Sequence, residues 1–182
     1  MIDHKSHGQI TIKVAETLCG FYETKGYGVL YDHDSTKENV GKIVSWFGDK
    51  YSRESELSQL DIAIVEKGSD KALALIEIEE TNDIPKTFMG DLFGVVLGDH
   101  ISFRGERNIL IGEYTTLIVL GKSKVMHKKR NEYLREKGMK VKSSLSTANS
   151  IIGNIVIDTF ADEKGLYVLL SSMLDRAFKG EL

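Results

Sequence analysis

The stretch SQLDIAIVEKGSDKALALIEIEET, residues 58–81, decides the fold because it contains two apolar runs separated by the turn-like EKGSDK. Such runs are typical of the two strands of a β-hairpin. Acidic residues interrupt both runs, with Asp61 in the first and Glu77, Glu79 and Glu80 in the second. A buried charge is costly unless it is paired, so carboxylates in an apolar hairpin require a physical explanation.

The alternation of side chains along a strand relates three of these acids. Residues two apart share a face, so Glu77 and Glu79 point the same way. If the hairpin turns about Ser69, Asp61 lies directly opposite Glu77, with Cβ atoms about 4.5–5.5 Å apart. Two carboxylates at that distance repel, and a cation between them relieves the repulsion; hard oxygen ligands favour Mg²⁺, Mn²⁺ or Ca²⁺ over zinc. In the alternative interpretation these acids line the solvent face of a half-exposed hairpin, and a one-residue slip would separate Asp61 from Glu77.

Length and composition indicate one globular α/β domain spanning residues 1–182. The chain has 41% hydrophobic and 28% charged residues, which excludes disorder for most of its length. Its one cysteine, Cys19, cannot form an internal disulfide. The sequence has neither a membrane-length apolar run nor a signal peptide, so we expect a cytoplasmic protein without membrane contacts.

The formal net charge of -3 conceals a strong asymmetry along the chain. Residues 122–142 contain nine Lys or Arg and two Glu, a local charge of +7 that leaves -10 for the remainder. Residues 54–80 contain eight acids and two lysines, a local charge of -6. An acidic centre beside a basic flank requires an explanation, and the basic run is compatible with a solvated helix face.

Hydrophobic periodicity and turn signals predict the order α-β-α-β-β-α-β-α-β-α, with a mixed central β-sheet flanked by helices. The predicted helices are residues 9–25, 36–51, 84–101, 128–138 and 161–180. The predicted strands are residues 28–33, 58–65, 72–80, 115–121 and 154–160.

Two sets of apolar side chains in these helices carry further expectations. Trp46 and Phe47 are predicted to lie in the core. The apolar face of the closing helix either packs on the sheet, which we expect, or forms a dimer interface; its residues are Leu166, Leu169, Leu170, Met173 and Leu174.

The acids and the order of elements together resemble the PD-(D/E)XK nuclease superfamily. Asp61 lies in an apolar strand, Glu77-Ile78-Glu79 lies in the strand paired with it, and a helix and a buried strand follow. The resemblance covers residues 9–120 and implies a restriction-endonuclease-like core of order α-β-β-β-α-β, with the helix at 36–51 as an insertion.

The resemblance also implies roles for individual residues. Asp61 and Glu77 would be metal ligands, with Ile78 supplying a backbone carbonyl. Glu79 stands where the family usually has lysine, and Lys86 would serve as a displaced lysine. Glu16, on the first helix, matches the position of an additional acidic metal ligand.

The implied activity is Mg²⁺- or Mn²⁺-dependent hydrolysis of DNA phosphodiesters by a homodimer. An acidic site does not attract DNA, so a separate basic surface must bind the backbone. The candidates are Lys122, Lys124, Lys128, Lys129, Arg130 and Arg135. The alternative function is a catalytically inactive nuclease-fold module that binds nucleic acid or a protein partner, and a third possibility is a small α/β protein whose hairpin acids are ordinary surface residues.

Overall fold

We describe the following residues of the computed structural model: 8–32, 38–48, 52–80, 85–98 (without the side chains of 85–88), 100–122, 132–133, 136–137, 139–140, 143–144 and 152–181. The helices in these ranges include α1 (Gln9–Tyr22), α2 (Pro85–Val96) and α3 (Glu163–Lys179). The strands are β1 (Tyr27–Tyr31), β2 (Ile43–Trp46), β3 (Glu56–Leu60), β4 (Ile62–Glu66), β5 (Ala72–Glu79), β6 (His100–Phe103), β7 (Arg107–Ile109), β8 (Thr116–Lys122) and β9 (Asn154–Phe160).

A mixed five-stranded sheet of order β1-β4-β5-β8-β9 forms the centre of the fold. The β1–β4 and β4–β5 pairs are antiparallel, whereas the β5–β8 and β8–β9 pairs are parallel. Helices α1 and α3 pack on one face through side chains such as Leu18, Leu166 and Leu170, which meet Ile76 of β5. The α/β class and the mixed central sheet are therefore confirmed.

The opposite face of this sheet is covered by α2 and by a second sheet of order β3-β2-β6-β7, in which all pairs are antiparallel. Leu75 of β5 meets Leu92 of α2 and Ile101 of β6 in this core layer. The carboxylate of Asp70, in the turn between β4 and β5, accepts hydrogen bonds from the Arg107 guanidinium of β7. This contact fixes the turn of one sheet to a strand of the other.

The predicted helix at 36–51 is wrong, because its centre is strand β2. The four residues of β2 are all buried, since the strand lies between β3 and β6 and is covered on both faces. A strand buried on both faces has a continuous apolar run, which also satisfies helical spacing over so short a segment. Trp46 is buried, as predicted, but Phe47 is 63% exposed and does not belong to the core.

The predicted single strand at 58–65 is also wrong, because the chain changes sheets within it. Strand β3 pairs with β2 in the second sheet, and β4 pairs with β1 and β5 in the first. Asp61 is the one residue between the two strands. A run of alternating residues does not reveal which strands it will pair with, because those partners lie far away in the sequence.

Further along the chain, helix α2 ends at Val96 rather than at 101. The residues that follow form the β6–β7 hairpin, which the sequence analysis missed. The predicted elements at 9–25, 72–80, 115–121, 154–160 and 161–180 correspond to α1, β5, β8, β9 and α3. Most of the predicted basic helix at 128–138 lies outside the described residues, although Glu136 and Lys140 are helical and form an i,i+4 ion pair of 2.9 Å.

Helix α3 packs on the sheet as expected. Four of its apolar side chains are buried there: Leu166, Leu170, Met173 and Leu174. That apolar face is therefore covered within the chain, and a dimer would need another surface. No helix in the described ranges combines the length and apolarity needed to cross a membrane.

Glu80 has a structural role at the start of α1. Its Oε1 accepts hydrogen bonds of 2.8 Å from both the backbone N–H and the hydroxyl of Thr11. The first N–H groups of a helix have no partner within the helix, and a carboxylate there also interacts favourably with the helix dipole. Glu80 is 7% exposed and anchors α1 to the end of β5.

We expect Glu80→Ala to lower the free energy of unfolding by about 1–3 kcal/mol, because it leaves a buried N–H without a partner. Urea denaturation monitored by circular dichroism measures this effect. The exposed acid Glu54 offers a control, and Glu54→Ala should change stability by less than about 0.5 kcal/mol. Equal effects of the two variants would contradict the role assigned to Glu80.

Candidate active site

Asp61 lies where the chain leaves the second sheet and enters the first, and it is only 9% exposed. Its Oδ2 accepts a hydrogen bond of 2.7 Å from the backbone N–H of Ile78 in β5. Its own N–H donates to Oε2 of Glu77 at 3.3 Å, and its carbonyl accepts from Asp32 at 2.9 Å. Side chains thus replace part of the backbone ladder at the point where the two sheets separate.

The predicted pairing of Asp61 with Glu77 is confirmed. Ile62 pairs with Ile76 and Ala63 with Leu75, which is the register that places Asp61 next to Glu77. The hydrogen bond between the N–H of Asp61 and the carboxylate of Glu77 agrees with this register.

Glu77 is half-buried among other acids on the face of β5 that α2 covers. Burial raises its pKa well above the ordinary value, and the charges of Asp61 and Asp91 raise it further. Glu79 acts in the same direction from two residues along the strand, whereas the N–H of Asp61 opposes the shift. A raised pKa means that the negative charge of Glu77 is disfavoured here, as expected where carboxylates lie close together.

Asp91 is a fourth member of this acidic cluster, and the sequence analysis missed it. It lies on α2 beside Leu92, which is fully buried. Burial raises the pKa of Asp91 to about 6, and the charges of Glu79 and Asp61 contribute to the shift. The sequence does show that Asp91 lies at the edge of the apolar stripe of α2, and this position could have indicated a partly buried acid. Only the packing of α2 on the sheet brings Asp91 near β5.

The chemistry of this donor set fits a hard divalent cation. Carboxylate oxygens are the ligands that Mg²⁺ and Mn²⁺ prefer, and a cation would relieve the repulsion that raises these pKa values. In the described part of the chain, no group of three or more His, Cys, Asp and Glu side chains already converges in a ligand arrangement. Asp61 and Glu77 each direct one carboxylate oxygen at a backbone N–H group.

The other predicted catalytic and metal-binding residues have different positions. Glu16 is exposed on α1, which packs on the opposite face of the sheet from Glu77, so the structure does not bring it into the acidic cluster. Lys86 belongs to the first turn of α2, where its side chain lies outside the described residues.

One of the predicted DNA-binding residues can be placed relative to the acidic cluster. Lys122 ends β8, one residue after Gly121, which pairs with Glu79 of β5. Because β5 and β8 are parallel, the chain leaves β8 at the same end of the sheet at which Glu79 lies. The other candidates lie outside the described residues: Lys124, Lys128, Lys129, Arg130 and Arg135.

Comparison of the chain with protein-family models, curated proteins and solved structures found no significant match.

The raised pKa of Asp91 predicts a pH-dependent effect of Asp91→Asn in metal-free buffer. Because the folded-state pKa of about 6 exceeds the unfolded-state value, wild-type stability should fall as pH rises from about 4 to 6. Above that range we expect the variant to be more stable than wild type by about 1–2 kcal/mol, since its side chain carries no charge. The advantage should shrink as the pH falls towards 4, because folded Asp91 is then protonated and unfolded Asp91 is close to its ordinary pKa of 3.8.

Urea denaturation from pH 4 to 8 in the presence of a chelator measures this profile. Glu54→Gln removes one exposed acidic charge and serves as the matched control. An advantage of Asp91→Asn that is the same at every pH would contradict the electrostatic origin of the effect.

Proposed function

We propose that the protein hydrolyses phosphodiester bonds of DNA with the help of Mg²⁺ or Mn²⁺, through the acidic cluster of Asp61, Glu77, Glu79 and Asp91. The observation that carries this proposal is the gathering of these four carboxylates, where burial and then the charges of neighbouring acids raise the pKa values of Glu77 and Asp91. Strongly perturbed acids gathered at one position are typical of functional sites, because their repulsion costs stability.

The order of the elements supports the finer proposal of a restriction-endonuclease-like fold. Elements α1, β1, β4, β5, α2 and β8 occur in the order α-β-β-β-α-β, with the β2–β3 hairpin inserted after β1 and the β6–β7 hairpin inserted after α2. Asp61 precedes the second of these core strands, and Glu77 and Glu79 belong to the third. This is the arrangement on which the resemblance to PD-(D/E)XK nucleases was based.

In the proposed mechanism, a metal ion bound by Asp61, Glu77 and Glu79 would shield the phosphate charge and acidify a coordinated water. Lys86 or Glu79 would orient the attacking water or accept its proton. Asp91 would share a proton with Glu79, since the charge of Glu79 contributes to the raised pKa of Asp91. In this mechanism Asp61, Glu77 and Glu79 would bind the metal. Proton transfer would involve Glu79, Lys86 and Asp91.

The position of Lys122 supports a role for the basic segment in holding DNA. The segment begins where β8 ends, beside the strand that carries Glu79. Lysine and arginine contacts to phosphates would position the duplex over the acidic cluster, which by itself repels DNA.

The proposed activity predicts that Glu77→Gln abolishes metal-dependent cleavage. The amide has the shape of the carboxylate but no negative charge, so we expect the rate to fall by about 100-fold or more. Linear, nicked and branched DNA would be incubated with wild type and variant, with Mg²⁺ and with Mn²⁺.

Glu80→Gln is the matched control, because it makes the same substitution three residues away at the helix cap. It should retain most of the cleavage at temperatures where it remains folded. Cleavage that survives in Glu77→Gln would contradict the assignment of the site, and absence of cleavage by wild type on all substrates would contradict the activity.

The basic segment predicts a change in the salt dependence of DNA binding. If Lys128, Lys129 and Arg130 each contact a phosphate, their joint replacement by Ala should reduce the slope of log K against log salt by about 3, roughly 0.9 per contact. Fluorescence anisotropy at several salt concentrations measures the slope. An unchanged slope would show that this segment is a solvated helix face; Lys164→Ala, on α3, is the single-charge control.

The second candidate function is a nuclease-fold module that binds nucleic acid or protein without cleavage. It is favoured by two observations: Glu79 occupies the usual lysine position, and the carboxylates of Asp61 and Glu77 both bond to backbone N–H groups. Metal binding separates the two functions. Mg²⁺ or Mn²⁺ at millimolar concentration should raise the melting temperature of the proposed enzyme but not that of Glu77→Gln, whereas a module without a metal site would show no rise in either protein.

A further inference from the structure

The groove between α1 and α3 contains a cavity of about 160 Å³. It lies on the face of the sheet opposite to the acidic cluster. Its walls combine aromatic rings, hydroxyl groups and one carboxylate, supplied by Thr17, Phe21, Tyr22, Tyr167, Ser171 and Asp175. This volume corresponds to about five molecules of liquid water, so the cavity admits a small organic group.

Tyr22 contributes a hydroxyl group to the lining of this cavity. The residue as a whole is 2% exposed. Burial, followed by the charge of Asp175, raises its pKa to about 12, so the phenol stays neutral. A ligand that carries N–H donors could form a hydrogen bond to this hydroxyl oxygen.

The charges and rings around the cavity favour a cation. Asp175, which is exposed, contributes a carboxylate to the lining, and Phe21 and Tyr22 contribute aromatic side chains. The ammonium of Lys25 lies 3.5 Å from the ring centroid of Phe21 and 5.6 Å from that of Tyr22. These distances are within the range of cation–π attraction, so the rings of Phe21 and Tyr22 already attract one cation.

We propose that this cavity binds a guanidinium group carried on a short apolar stem. A guanidinium is planar and weakly hydrated, so it stacks on aromatic rings and can pair with a carboxylate through two parallel hydrogen bonds. Asp175 would accept those bonds, Tyr22 would accept a third, and Leu18 and Leu170 would contact the stem. This site is independent of the proposed nuclease activity, because its residues lie on the other face of the sheet.

Isothermal titration calorimetry with methylguanidinium tests the proposal. We expect a dissociation constant on the order of 1 mM, as is reasonable for so small a ligand. Methylurea has a similar planar shape and carries N–H donors but has no charge, so it should bind at least tenfold more weakly. Asp175→Asn should weaken methylguanidinium binding tenfold or more; Tyr22→Phe, which keeps the ring and removes the hydroxyl, should weaken it severalfold.

Glu23→Gln is the matched control, because it removes an exposed acidic charge next to α1 without altering the cavity lining, and it should bind like wild type. Thermal melting of each variant establishes that it is folded. Equal binding of methylguanidinium and methylurea, or unchanged binding by Asp175→Asn, would overturn the proposal, as would the absence of any heat of binding with wild type. Tighter binding of capped arginine amide than of methylguanidinium would assign the guanidinium to a partner polypeptide, and the reverse order would assign it to a free small molecule.

Discussion

The hydrogen bonds that Asp61 exchanges with β5 hold the fold together at its least regular point. The chain passes from the second sheet to the first within this one residue, so nearby backbone groups lose the partners that a continuous strand would supply. The carboxylate of Asp61 satisfies the N–H of Ile78, and Glu77 satisfies the N–H of Asp61. Each buried N–H left without a partner would cost about 1–3 kcal/mol, so this exchange allows the two sheets to separate.

The same hydrogen bonds place two carboxylates close together, where their negative charges repel each other. Asp61 and Glu77 lie side by side, with Glu79 on the same face of β5 and Asp91 on the helix above it. A purely structural solution would use neutral side chains, since asparagine and glutamine also bond to backbone N–H groups. Hydrogen bonding alone therefore does not account for the presence of four carboxylates here, which is why we propose a cation site.

The central sheet separates two chemically different environments. One face carries the acidic cluster beneath α2, and the other carries the apolar layer beneath α1 and α3, where the groove lined by Tyr22 and Asp175 lies. Glu80 illustrates the division, because it follows Glu79 directly yet caps α1. Glu79, at the end of β5, and Glu80, directly after it, thus have different roles, since successive side chains point to opposite faces of the sheet.

The sequence by itself determined the features that depend on local periodicity. Alternation and an assumed turn about Ser69 predicted the pairing of Asp61 with Glu77, although the β4–β5 register shifts between Ile64 and Val65, and apolar spacing identified α1, β5, β8, β9 and α3. Contacts between segments far apart in the sequence decided the other features of the fold. The segment around β2 became a strand because β3 and β6 flank it, and the strand predicted at 58–65 was divided because its two halves join different sheets. Asp91 joined the acids, and Asp175 approached Tyr22, only through the packing of helices. Residues remote in the chain meet through the burial of apolar surface, which no local pattern records.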